Sequence, residues 1–294
     1  MTTKFINTLL WPSPAKINLF LRIIKKRTDE YHEIQTLYHF LNYGDLIKVK
    51  ERKDNKIRLS SNIHLEDFKK NNLITKAAML LQRYCISKFP KKRYFGADIY
   101  VNKVLPIGSG LGGGSSNAAT TLIALDYHWN TKIPKKILLD ISSHLGADVP
   151  FFINGATSIG ENIGHDLYPI HIKSSWYLIA YPKVFVSTKK VFKSLNLKKR
   201  TNRFPKSILL KKRYENDLEK IVKDLFPEVK NCIKWFKIRS LRPIMTGTGS
   251  CIFVKFSSES NALQILKKTP KWMRCFIAKG VNSSPLYSFK KRVI

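Results

Sequence analysis

The sequence predicts an α+β fold in two domains. Three observations carry this. The chain has 294 residues, and about 150 residues is an ordinary domain length. Hydrophobic residues make up 44% of it, enough to bury real cores. Segments with apolar residues at every second position are interspersed with segments of helical spacing, so strands and helices share the chain. No repeat of solenoid period and no low-complexity stretch disturbs this reading.

The elements follow in order. "AKINLFLRII" alternates, with Ile17, Leu19, Leu21 and Ile23 on one face of a strand. "TDEYHEIQT" reads as a turn and a short link. "GDLIKVKERKDNKIRLSS" reads as a hairpin with Asp54 and Asn55 near its tip. "NLITKAAMLLQRYC" is helical through Leu73, Ala77, Leu80 and Tyr84. "ADIYVNKVLP" alternates at Ile99 and Val101 until Pro106 stops it. Ala118, Ala119, Leu122, Ile123 and Trp129 form a helical stripe. Pro134 opens a further helix, and Gly146 closes it. An apolar strand is expected after Asp148. "SWYLIAYPKVFV" is a strand, and the domain boundary falls before it, near residues 155–166. The second half adds helices at "NDLEKIVKDLF" and "SNALQILKKT", strands at "CIFVKF" and "RCFIAKG", and a tight turn at "MTGTGS".

Composition narrows the function classes. No apolar run approaches the ~20 residues of a membrane span, and the N-terminal stretch carries no cleavage-site pattern, so a cytoplasmic protein is expected. Cys85, Cys232, Cys251 and Cys275 are far apart and form no C-x-x-C pair, which argues against a disulfide framework or a zinc knuckle. Lys and Arg total 53 against 20 Asp and Glu, a formal charge of +33. A nucleic-acid partner therefore has to be weighed. Most of the lysines are scattered, however, and only Leu167–Tyr214 is a dense basic stretch without an acidic residue. Backbone attraction of that kind is unspecific, and acidic small molecules would be drawn by the same field.

Chemistry concentrates in "LPIGSGLGGGSSNAAT". Five of the chain's 14 glycines lie between Gly108 and Gly114. A bland turn needs one or two. Five, followed by Ser115, Ser116 and a helix start, make a surface of bare N–H groups at the positive end of a helix, which suits phosphate. A Walker A loop is ruled out, because no lysine follows the glycines. G-x-G-x-x-G matches from Gly108 to Gly113. The acidic residue such a fold needs about 20 positions on would be Asp126, inside a predicted helix. That leaves a dinucleotide reading open but strained.

A third pattern covers the whole stretch: P-x-x-x-G-L-G-[GS]-[GS]-S-[SA]-N-A, here "PIGSGLGGGSSNA". It resembles the ATP-binding loop of the GHMP kinases, which phosphorylate small metabolites. The resemblance implies nucleotide contacts from Pro106, Ile107, Gly108, Ser109, Gly110, Leu111, Gly112, Gly113, Gly114, Ser115 and Ser116. "SPAKIN" is similar to the family's first motif, in which Lys16 reaches into the site and Asn18 contacts substrate. "GADVP" is similar to its segment carrying the catalytic base, here Asp148. "TGTGS", with Gly247, is similar to its third motif, pressed on the phosphate loop or on substrate. A carboxylate and an ammonium meeting an alcohol beside a phosphate cradle make physical sense for phosphoryl transfer.

The likeness extends through "DEYHEIQTLYHFLNYGD" and "AKGVNSSPL" and is weakest at 50–95 and 195–240. It points to family members whose alcohol substrate carries a cytidine diphosphate. On that likeness Tyr31 stacks on the cytosine, His32 bonds its edge, Phe192 covers the opposite face and Thr188 lies nearby. The implied fold is an N-terminal ATP-binding domain (1–157) and a C-terminal ferredoxin-like α/β-sandwich domain (158–294), with the site in the cleft between them. ATP and Mg2+ are implied; the metal's ligands stay unassigned, with Ser116 one candidate. The implied partner is the small substrate, without specific nucleic acid or membrane, and a weak homodimer is compatible. Ser109 and Asn162 stand where the family usually has glycine. Kinases of the same family acting on homoserine, mevalonate or a sugar are the neighbouring alternative, and a basic nucleic-acid-binding protein is the alternative of another class.

Overall fold

The structure, a computed structural model, describes residues 9–29, 31–63, 72–92, 94–195, 202–205 and 214–293. Its first half runs β1 (Leu10–Lys26), β2 (His32–Arg52), β3 (Ile57–Ser61), α1 (Leu73–Lys88), β4 (Gly96–Asn102), α2 (Gly113–His128), α3 (Lys135–Ser143) and α4 (Val149–Asn154). The second runs β5 (Ser158–Glu161), β6 (Asp166–Pro169), β7 (Trp176–Tyr181), α5 (Thr188–Lys193), α6 (Glu219–Leu225), α7 (Pro227–Lys237), β8 (Ile244–Met245), β9 (Ile252–Phe256), α8 (Glu259–Leu266), β10 (Arg274–Val281) and α9 (Pro285–Val293). Strands and helices alternate as an α+β chain should. Among the described residues, no helix is long and apolar enough to cross a membrane.

The sheet is continuous in the order β3-β4-β2-β10-β7-β9-β8, with β1 and β5 also paired to β2. Three apolar cores form among the described residues. Helices α1 to α4 pack on β2 and β4 around Trp11, Phe40, Trp129, Phe151 and Phe152. Helices α6 and α7 pack on β7 and β9 around Leu178, Val222, Ile233 and Phe236. Between them lie Ile17, Leu19, Leu37, Tyr177 and Phe253. The segment around residues 155–166, expected to hold the domain boundary, folds into the β5–β6 hairpin, whose β5 adds to β2.

Several local expectations need correction. Residues 44–61 are not a hairpin. β4 lies between β2 and β3, antiparallel to the first and parallel to the second. Arg52 holds the intervening turn by pairing with both Asp54 and Asp98. Ile17, Leu19, Leu21 and Ile23 do not share one face. A register shift between Asn18 and Leu21 divides them, sending Ile17 and Leu19 to the middle core and Leu21 and Ile23 to the second. β2 begins already at His32, so most of the supposed link is strand. The apolar segment after Asp148 is the helix α4, with Pro150 in its first turn, where a fixed φ favours helix. α7 was not anticipated.

His39 gives the fold a pH dependence. It is fully buried, with Nδ1 2.8 Å from Thr157 Oγ1, and its ring is edge-on to Tyr177. Burial, and secondarily the nearby Lys255, hold its pKa down to about 4. The unfolded chain then binds a proton that the folded chain refuses between pH 6.5 and 4. Stability is fully present above pH 6.5 and falls as pH drops toward 4, by on the order of 3 kcal/mol. Thermal melts of His39→Gln should show a shallower loss of Tm across that window than the parent; parallel curves would contradict this.

Candidate active site

The β1–β2 ladder places the first site residues. A register shift between Pro14 and Lys16 frees the Lys16 backbone N–H to donate to the Leu111 carbonyl (2.9 Å). Lys16 is 3% exposed. Its Nζ donates to Asn18 Oδ1 (2.5 Å) and lies 3.1 Å from Asp148 Oδ2. Asn18 Nδ2 donates to Thr36 Oγ1 (2.8 Å). Asp148 immediately precedes α4 but makes no capping bond with its side chain. The carboxylate instead faces Lys16 and accepts a hydrogen bond from Tyr38 Oη (3.0 Å). Lys16 and Asp148, far apart in sequence, thus form one pair.

The glycine run wraps over this pair. Gly110 and Gly112 have φ of +79° and +71°, a region side chains rarely enter. A Cβ on Gly110 would lie 2.2 Å from the Thr246 carbonyl oxygen, and one on Gly112 3.0 Å from the Lys16 stem. Both glycines are therefore required by conformation and by close approach. α2 starts at Gly113 and turns its positive end toward the same space. Asp126, needed at a strand end by the dinucleotide reading, is buried inside α2 and accepts from Thr131 Oγ1 and the Ile133 N–H. Ser109 is not among the residues of positive φ, and its hydroxyl donates to the Pro106 carbonyl (2.7 Å). It replaces glycine without strain. Asn162 does have a positive φ, +58°, which asparagine tolerates better than most residues. Its side chain is fixed by Asp166 and Arg203.

A cavity of about 1100 Å3 opens here. It is lined by Lys16, Asn18, Asp148, residues 106–110 and 112–115, Tyr31, His32, Thr188, Phe192 and Gly247. Two expected contacts are not on its wall. Leu111 is buried, offering its carbonyl to Lys16. Ser116 is buried too, accepting a hydrogen bond from Ser13 Oγ (3.0 Å). The "TGTGS" turn packs on the glycine run. Thr246 Oγ1 accepts from the Asn18 N–H (2.9 Å) and donates to the Gly110 carbonyl, and the Cys251 N–H bonds the Ser109 carbonyl. At the far end Phe192 stacks on His32 (centroids 5.1 Å apart), whereas Tyr31 is 59% exposed. Tyr31, His32 and Phe192, the residues expected around a cytosine, thus line the same end of the cavity. Thr188 Oγ1 lies 3.0 Å from Thr248 Oγ1.

Sequence reasoning missed a buried support beneath the loop. Asp45 accepts from Lys103 Nζ (2.5 Å), from Asn117 Nδ2 (3.0 Å) and from the Val104 and Leu105 N–H groups. Asn117 also donates to Ser13 Oγ. This ties the start of the glycine run to α2 and β1. Tyr38 and Thr36 were missed as well. The signal was present: His32, Ile34, Thr36 and Tyr38 alternate, and all but Thr36 line the cavity.

Comparison with known proteins decides the family. The GHMP kinases N terminal domain matches residues 72–156. A 4-diphosphocytidyl-2-C-methyl-D-erythritol kinase of Buchnera aphidicola subsp. Schizaphis graminum is 44% identical over 290 residues, 98% of each chain. The chain belongs to this kinase family. A relative of the same name from Mannheimia succiniciproducens is 41% identical over 96% of this chain and 91% of its own. A crystal structure of 4-(cytidine 5'-diphospho)-2C-methyl-D-erythritol kinase superposes with a TM-score of 0.76 at 27% identity, covering 94% of this chain and all of that one. Homoserine kinase from Cytophaga hutchinsonii shares the fold, with a TM-score of 0.66 at 15% identity over 97% of this chain and 98% of its own. The GHMP kinase fold expected from the motifs is thus the fold of this chain.

Proposed function

We propose that this kinase moves the γ-phosphoryl group of ATP to the 2-hydroxyl of 4-diphosphocytidyl-2-C-methyl-D-erythritol, in the methylerythritol phosphate route to isoprenoids. The observation that carries the chemistry is the Lys16–Asp148 pair lying directly under the glycine loop. In this reading the loop N–H groups and the α2 N-terminus hold the triphosphate. Asp148 accepts the proton of the attacking hydroxyl, while Lys16 stabilises charge on the phosphoryl in flight. The new O–P bond forms as the bond to the β-phosphate oxygen breaks, and ADP leaves. Five lysines and one carboxylate, Asp148, line the cavity among the described residues, a balance suited to two anionic ligands.

Mg2+ belongs to the proposal as an ion carried by the nucleotide. Among the described residues no group of three His, Cys, Asp or Glu could hold a metal. An ion bound mainly by phosphate oxygens and water needs no such cluster. Among the described residues Asp148 is the one carboxylate that lines the cavity. When bound, the ion would neutralise charge on the phosphates.

Tyr31, His32, Thr188 and Phe192 are assigned to the cytidine end. Tyr31→Ala should raise the KM for the cytidine substrate by about ten-fold or more, the usual loss of one base-stacking ring, with the KM for ATP unchanged. Equal rises in both would contradict the assignment. A boundary at residue 157/158 and a cytoplasmic location complete the proposal. The separate cores around Phe151 and Phe236 support the first, and four free cysteines are compatible with the second.

An ADP-release assay tests the reading with a substrate panel. ADP should form with the cytidine diphosphate compound and not with homoserine, mevalonate or galactose. Turnover of one of those instead would assign a different member of the fold, and steeply salt-dependent duplex binding without ADP would favour the nucleic-acid alternative.

A further inference from the structure

Tyr38 has no part in the chemistry described so far, yet it touches both halves of the reacting pair. Its hydroxyl donates to Asp148 Oδ1 at 3.0 Å, and the Lys16 ammonium lies 5.3 Å from its ring centroid. The two oxygens of Asp148 are thereby held separately: Oδ2 by Lys16 from β1, Oδ1 by Tyr38 from β2. The residue is 1% exposed. Its ring packs on Phe151, whose centroid is 4.8 Å away, in the helix that Asp148 introduces.

The opposite side is clamped by glycines. A Cβ on Gly164 would lie 2.4 Å from the Tyr38 hydroxyl oxygen, and one on Gly160 2.6 Å from the ring. β5 at Gly160 and the turn after it at Gly164 therefore have to be bare for the phenol to fit. This also explains why Asn162 is accommodated: the close approaches fall at residues 160 and 164. Burial, with Asp148 beside it, holds the phenol pKa well above its ordinary value, so the hydroxyl stays protonated and remains a donor.

We propose that Tyr38 is a positioning residue that fixes the Asp148 carboxylate for proton acceptance, an inference that rests on the functional reading above. Two tethers on one carboxylate leave it a single orientation, with its remaining lone pairs toward the cavity. Reacting groups held in a near-attack geometry lose about a hundred-fold when displaced by about 1 Å. Removing one of the two tethers should cost a substantial part of that.

The test is Tyr38→Phe, which keeps the ring and deletes the hydroxyl. kcat should fall about ten-fold, with both KM values unchanged and the melting temperature lowered by only a few degrees. In an Asp148→Asn background, where the carboxylate is gone, single-turnover rates with and without the hydroxyl should agree within about two-fold. Tyr38→Leu, which also removes the ring, serves as the packing control and should lower the melting temperature. A Tyr38→Phe enzyme with the parent's kcat would overturn the proposal. So would an equal loss in the Asp148→Asn background, or a loss confined to KM and thermal stability. The parent enzyme in the same assay separates the two levels. If it fails to phosphorylate the cytidine substrate, the functional reading fails; if it succeeds and Tyr38→Phe matches it, only the role of Tyr38 fails.

Discussion

Asp148→Asn is expected to lower kcat by on the order of a thousand-fold, within the range a positioned general base supplies. The amide is nearly isosteric and can still face Lys16 and Tyr38. Its nitrogen cannot accept the proton of the attacking alcohol, and its oxygen is a far weaker base. In the proposed function nucleotide binding rests on other groups, namely the loop amides between Gly108 and Gly114 and the start of α2, which line the cavity. The affinity for ATP, measured by calorimetry without the alcohol substrate, should therefore stay within about three-fold of the parent. A variant that keeps most of its kcat in an ADP-release assay would remove Asp148 from the mechanism. A variant that loses ATP binding in step with turnover would make the residue structural.

Lys16→Met should lower kcat by about a hundred- to a thousand-fold, the loss typical of one preorganised electrostatic contact in a closed site. Methionine keeps much of the stem that packs below Gly112, where the Lys16 Cε and Cγ make the close approach. What disappears is the ammonium. Asn18 Oδ1 and Asp148 Oδ2 then lose the donor that lies 2.5 Å from one and 3.1 Å from the other. If Lys16 and Asp148 act on the same transferring group, as proposed, the double variant should be little worse than the poorer single one. Steady-state kinetics at saturating ATP decide this. A kcat within ten-fold of the parent would contradict the role given to the ammonium, and full additivity of the two losses would contradict their joint action.

Much of this site was legible because its parts are local in sequence. The phosphate loop needs glycines at adjacent positions, and the run from Gly108 to Gly114 displays that requirement directly. Lys16 and Asp148 could be picked out of a lysine-rich chain only through their flanking "SPAKIN" and "GADVP". Their meeting at 3.1 Å is a long-range fact that spacing cannot give. Tyr38 was illegible for a related reason. Its meaning depends on two glycines more than 120 positions later and on the carboxylate at 148. The mistaken hairpin at 44–61 has the same origin. β2 and β3 are adjacent in sequence, but β4 arrives some 35 residues further on and takes the place between them. The strand expected after Asp148 failed locally instead, since a short apolar run does not distinguish strand from buried helix, and Pro150 tips it toward helix.

The central claim is a direct transfer of phosphoryl from ATP to one alcohol, in the cavity where Lys16 and Asp148 meet the glycine loop. Phosphorus NMR of the complete reaction tests it most directly. ADP should appear together with one new phosphomonoester resonance on the cytidine diphosphate substrate, in equal amounts and with no free orthophosphate. ADP accompanied by orthophosphate and an unchanged substrate spectrum would show hydrolysis in place of transfer, and would contradict the account.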